Sequence, residues 1–125
     1  MDDNREQMMA YFLDLVYEND PEEIESARTE VTLELAIQLS KKYTDLNDWK
    51  HRANIVQLIQ DHFDDALLPI MEHALGIPDL GDDTGPSTIA IAVCHLKKDF
   101  NYFEAVFGSY AYAKKKASEI LGRPI

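Results

Sequence analysis

Residues 48–75 read DWKHRANIVQLIQDHFDDALLPIMEHAL, and this stretch decides the fold class. From 48 to 63, Trp49, Ala53, Val56, Ile59 and Phe63 recur at the three- and four-residue spacing of one helical face, and Ile55 and Leu58 widen it. A helix apolar over so broad an arc is expected to lie between neighbours rather than on the surface. Asp48 stands where an N-cap belongs. Asp64 and Asp65 then break the pattern, and a second helix over 65–75 takes Leu67, Leu68, Met71, Ala74 and Leu75. Pro69 falls in its first turn, where a missing N–H has no intrahelical partner to lose. Gly76 is expected to close it with a left-handed C-cap. Two amphipathic helices joined by so short a turn form an antiparallel hairpin.

Four more helices extend outward from this hairpin. The first, over 3–17, carries Met8 or Met9, Phe12, Leu15 and Val16 on one stripe. The second, over 20–43, opens on Asp20-Pro21-Glu22-Glu23, where Asp20 can cap, Pro21 costs no hydrogen bond and Glu23 completes a capping box. Its apolar side holds Ile24, Ala27, Val31, Leu35 and Leu39, while Glu22, Glu25, Glu30 and Glu34 mostly miss that stripe and form an acidic face. A loop rich in Gly, Pro and Asp, IPDLGDDTGP over 77–86, leads to a helix over 87–98. The last helix, over 100–121, takes Phe103, Phe107, Tyr110, Ala113 and Ala117 inward and ends at Gly122. Gly108 weakens its interior by about 1 kcal/mol relative to Ala. No segment alternates as a strand. The expectation is all-α: six helices in three antiparallel pairs, forming one helical-repeat domain over 1–125.

Part of this pattern resembles HEAT-type helical repeats, across about residues 45–98. In that family a first helix often opens on Leu-Leu-Pro and ends in Leu, and a second carries an early Arg and Ala-rich packing positions. Leu67-Leu68-Pro69 through Ala74-Leu75 matches the first. Trp49, Arg52 and Ala53 match the second helix of the preceding unit, and Ile89 through Leu96 that of the next, which lacks the Arg. The resemblance implies a short right-handed α-α superhelix with a concave, partner-binding face. It also implies that Arg52 braces an adjacent loop, with Asp45 and Asp48 as partners, so that Trp49, Arg52 and Pro69 serve structure rather than chemistry.

Charge bounds the function. The chain has 12 bases and 23 acids, a net charge of −11 over 125 residues. Residues 1–34 hold 11 acids and two bases, whereas residues 97–125 hold three acids and six bases. A field this negative disfavours nucleic acid, whose capture needs Lys and Arg to displace phosphate counterions. It favours a basic protein partner, although acidity also serves solubility alone. No apolar run is long enough to span a membrane. The acidic start MDDNREQ lacks the character of a secretory signal, and a single Cys, Cys94, excludes an internal disulfide. A cytoplasmic setting is expected.

The four histidines, His51, His62, His73 and His95, show none of the helical spacings that gather metal ligands, and the Gly-rich, Walker and G-x-S-x-G patterns are missing. No catalytic residue, metal or cofactor is therefore assigned. The aromatics of the last helix divide between core and surface, and Tyr102 and Tyr112 are placed as exposed interface anchors. The expected function is a small acidic interaction module that binds a basic protein through Glu22, Glu25, Glu30, Glu34, Tyr102 and Tyr112. An inhibitor or immunity-type protein is a natural member of that class. Two alternatives stand beside it: a homodimeric structural module joined through the aromatic helix, and a small metal-dependent hydrolase using His and Asp residues around 61–73.

Overall fold

The computed structural model describes residues 2–125, with side chains from residue 4 onward. Met1 and the side chains of Asp2 and Asp3, counted in the charge above, lie outside that description. The described residues form eight α-helices and no strand. They divide into two compact units, Met1–His62 and Phe63–Ile125. The boundary falls inside the 48–75 stretch. No helix among the described residues is long and apolar enough to cross a membrane.

The first unit holds α1 (Asp2–Glu18), α2 (Pro21–Ala27), α3 (Leu33–Tyr43) and α4 (Trp49–Ile59). α4 is its centre and packs on the other three. Ala53, Ile55, Val56, Leu58 and Ile59 are all buried, against Phe12, Leu15 and Val16 of α1, Ile24 and Ala27 of α2, and Leu35, Ala36 and Leu39 of α3. The breadth of the apolar arc on α4 thus has its explanation in three neighbours. Asp48 caps α4, its carboxylate accepting from the amides of Lys50 at 2.7 Å and His51 at 3.4 Å. Asp20 caps α2 through Glu22 and Glu23, with Pro21 in the first turn.

The second unit holds α5 (Leu68–Ala74), α6 (Thr84–Lys97), α7 (Tyr102–Val106) and α8 (Tyr110–Leu121). α6 takes the central place, packed on α5, α7 and α8 and buried at every position from Thr88 to His95. Pro69 sits in the first turn of α5, after a 3-10 turn, Asp65–Leu67, capped by Asp64.

Six helices become eight because two of the expected ones are interrupted. The 20–43 segment stops at a 3-10 turn, Arg28–Glu30, followed by extended Val31. Thr32 then restarts the chain as an N-cap, its hydroxyl accepting from Leu35 N at 3.2 Å. The 100–121 segment breaks at extended Phe107, and Ser109 caps α8 by accepting from Tyr112 N at 3.1 Å. A Ser or Thr side chain competes for free helix amides wherever tertiary packing lets the helix end. The break also changes which aromatics are core. Of the residues expected inward, Ala113 and Ala117 are buried, as is Val106, whereas Phe103 and Tyr110 are only half-buried and Phe107 is 37% exposed. At Gly76 the expected left-handed cap is not formed. α5 unwinds through three short backbone bonds, from Leu75, Gly76 and Ile77 to carbonyls three residues back. Gly122 does take the left-handed conformation, with φ +72°.

Candidate interaction surface

Glu22, Glu25, Glu30 and Glu34 are all exposed, but they do not share one helix face. The interruption at 28–32 puts Glu22 and Glu25 on α2, Glu30 in the 3-10 turn and Glu34 in the first turn of α3. Two of them are engaged. Glu25 pairs with Arg28 at 2.9 Å, and Glu34 with Arg5 at 2.8 Å. Arg28 is the only base between Asp20 and Glu30, and its other guanidinium nitrogen holds Asp61 at 2.7 Å. Its charge is therefore used inside the unit. Glu22, Glu23 and Glu30 meet solvent with no ion pair among the described residues.

Of the two expected exposed anchors, Tyr112 is exposed on α8, whereas Tyr102 on α7 is half-buried. The Tyr112 hydroxyl donates to the carbonyl of Ala105 at 3.3 Å, one helical turn beyond Tyr102 on α7. The Tyr112 ring folds back over Gly108, where an added Cβ would stand 2.7 Å from it. Gly108 is thus required for the close approach of this ring, and the ring still leaves Tyr112 42% exposed. Lys97 places its ammonium 6.0 Å from the centre of the Tyr102 ring. Phe103 and Phe107 stack nearly parallel, at 5.4 Å between centroids.

Arg52 braces a loop, but not through a carboxylate. Its Nε and Nη2 both donate to the carbonyl of Leu46, at 3.0 and 2.7 Å, and its guanidinium lies 4.7 Å from the Trp49 ring centre. Asp45 and Asp48, the expected partners, are not used by it. Arg52 also lies near buried Tyr43, whose phenol is pushed up to about 12 by burial, with the Arg52 charge opposing that rise.

The His/Asp residues around 61–73 are engaged locally. Asp61 is held by Arg28, the His62 ring meets the Val31 carbonyl through Nε2, and Asp65 pairs with Lys98 at 3.4 Å. His73 is exposed on α5. Among the described residues no group of three or more His, Cys, Asp or Glu is placed to hold a metal ion. A cavity of about 100 Å³ lies beside buried His95, lined also by Phe63, Asp64, Asp65, Leu68 and Lys98. The composition of the sequence gave no sign of it, because its polar groups come from positions thirty residues apart. Cys94, next to His95 but directed elsewhere, contacts the Phe100 carbonyl, and burial followed by the nearby Asp99 charge pushes its thiol up to about 11.

A second concavity, an open trough of about 630 Å³, runs between α1 and α3. Met9, Ala10 and Leu13 form its apolar floor, and Arg5, Glu6, Gln38 and Lys42 its rim. Comparison of the chain with family models, curated proteins and solved structures finds no match.

Proposed function

We propose that this chain is a small acidic interaction module that binds a basic protein partner through the segment from Asp20 to Glu30. The observation that supports it most is the internal use of Arg28. With that cation held by Asp61 and Glu25, the carboxylates of Glu22, Glu23 and Glu30 project an uncompensated negative field. Such a field raises encounter rates with a basic surface and rejects acidic ones. An inhibitor or immunity-type protein that neutralises a basic enzyme, acting in the cytoplasm, belongs to this reading.

The test is capture from native lysate at low and high salt, with wild-type chain and with the double variant Glu22→Lys, Glu30→Lys. Neither residue packs against the core, so the variant should keep its helical circular dichroism. The expected result is a basic protein retained at low salt, released at high salt and lost by the variant. Retention that ignores both salt and the reversal would overturn the reading.

A further inference from the structure

The cavity beside His95 is built entirely from the second unit and measures about 100 Å³. A cavity of roughly 150 Å³ takes the six carbons of benzene, so this one holds about four heavy atoms. The ring of His95, 1% exposed, is its most buried lining group, and Phe63 and Leu68 add apolar surface. Phe63 is held from two sides, with ring centroids 4.6 Å from His95 and 4.3 Å from Phe100.

Three charged side chains complete the lining, and they are not equivalent. Lys98 pairs with Asp65 at 3.4 Å, so those two charges offset each other. Asp64 is half-buried and meets no cation among the described residues. Its Oδ1 accepts from the Ala66 amide at 2.9 Å, and the rest of its acceptor capacity is open to a ligand. His95 and Lys98 also mark the last turn and the cap of α6, whose carbonyl end carries partial negative charge. One uncompensated carboxylate and the end of a 14-residue helix make this a site for a cation.

We infer that the cavity binds a guanidinium group. That group is planar, with one carbon and three nitrogens, which is the size the cavity takes. Its fork of N–H donors suits the Asp64 carboxylate, and its flat face suits an aromatic wall such as Phe63. An anion fits less well, because the donors that would hold it are engaged, the Lys98 ammonium by Asp65 and the Ala66 amide by Asp64. A metal ion fits less well too, since no three ligating side chains among the described residues are placed for one. A guanidinium reaches such a site either as a free guanidino compound or on an arginine side chain of a partner. The inference stands apart from the acidic segment of the first unit.

Methylguanidinium, methylammonium, acetate and inorganic phosphate are titrated separately into the full-length chain at constant ionic strength. The NMR signals of the Leu68 methyls and the His95 ring report occupancy. So small a ligand reaches a dissociation constant of roughly tens of micromolar at best, so the titration extends into the millimolar range. Methylguanidinium should shift these signals saturably. Methylammonium, which lacks the fork, should bind at least about tenfold more weakly, and the two anions should not bind. Asp64→Asn should weaken methylguanidinium by about tenfold or more. Asparagine keeps an acceptor for the Ala66 amide, so the turn before α5 stays capped. Lys98→Gln removes a competing cation and should leave binding equal or tighter.

The absence of a saturable shift with methylguanidinium overturns the inference. So does equal binding of methylammonium, wild-type affinity in Asp64→Asn, or binding of acetate or phosphate that Lys98→Gln abolishes. A short peptide with a central arginine, set against the same peptide with citrulline, names the source. A shift with the arginine peptide alone assigns the cavity to a partner side chain; no shift with either, beside methylguanidinium binding, assigns it to a free compound. The double variant Glu22→Lys, Glu30→Lys should bind methylguanidinium as the wild type does, so failure here and failure of the proposed function are separate results.

Discussion

The side-chain amide of Asn54 donates to the backbone carbonyl of Val16 across 2.8 Å. The same amide reaches the Asn19 Oδ1 at 2.6 Å, and Asn19 itself sits in the left-handed region at φ +57°. One buried side chain on the central helix therefore satisfies the frayed end of α1 and fixes the turn into α2. Removing it leaves a buried carbonyl without its donor, which costs about 1–3 kcal/mol. Asn54→Ala should lower first-unit stability by that amount in urea denaturation followed by Trp49 fluorescence. Trp49 is the only tryptophan and lies in this unit. An unchanged midpoint would refute the role.

Tyr43 makes stability fall at high pH. Its phenol titrates near 10 when free and is pushed up to about 12 in the fold, first by burial. Between those values the unfolded chain releases the proton before the folded chain does, so stability is complete below pH 10 and is lost as pH rises toward 12. Two pH units correspond to about 2–3 kcal/mol. Tyr43→Phe should flatten this part of the stability profile, measured by urea titration at successive pH values.

Lys98 ends α6 in the left-handed region, at φ +55° and ψ +41°. A side chain there meets the following carbonyl, a cost of roughly 1 kcal/mol that glycine avoids. The ion pair it makes with Asp65 is 66% and 82% exposed and contributes little. Lys98→Gly should therefore raise the thermal midpoint of the chain. A lower midpoint would show that the Asp65 contact outweighs the backbone strain.

Cys94 should be inert in the native state. Its buried thiol is pushed up to about 11, so its thiolate, the reactive form, is scarce at pH 8. Labelling with a disulfide reagent at that pH should run at least about 100-fold slower than for a free thiol and reach the free rate in denaturant. Because Cys94 belongs to the second unit, its labelling rate reports opening there. Rapid labelling of the folded chain would contradict the buried environment.

Much of the fold is legible in local sequence. The caps at Asp20 and Asp48, the tolerated Pro69 and the broad apolar face of α4 each depend on residues within one or two turns, and the structure contains them all. The two missed interruptions are also local in part, since Thr32 and Ser109 are N-cap residue types. Yet the apolar spacing runs on through both. Whether a hydroxyl caps or stays inside a helix depends on what the next turn packs against. The role of Arg52 was visible, but its acceptor was not, because a backbone carbonyl carries no mark in the sequence.

By itself, the sequence determined that this chain is helical, where several of its helices begin, and how acidic it is. Those properties follow from hydrogen bonds and spacings confined to a few residues, and from composition. Only the tertiary structure decided that Asn54 is buried, that Phe107 is not core, that Tyr102 is half-buried while Tyr112 is exposed, and that Arg28 is already used. Each of these depends on partners brought together by folding, Arg28 on Asp61 across 33 positions and Asn54 on Val16 across 38. A count of charges cannot separate those held in ion pairs from those left to solvent. That separation is what defines the surface.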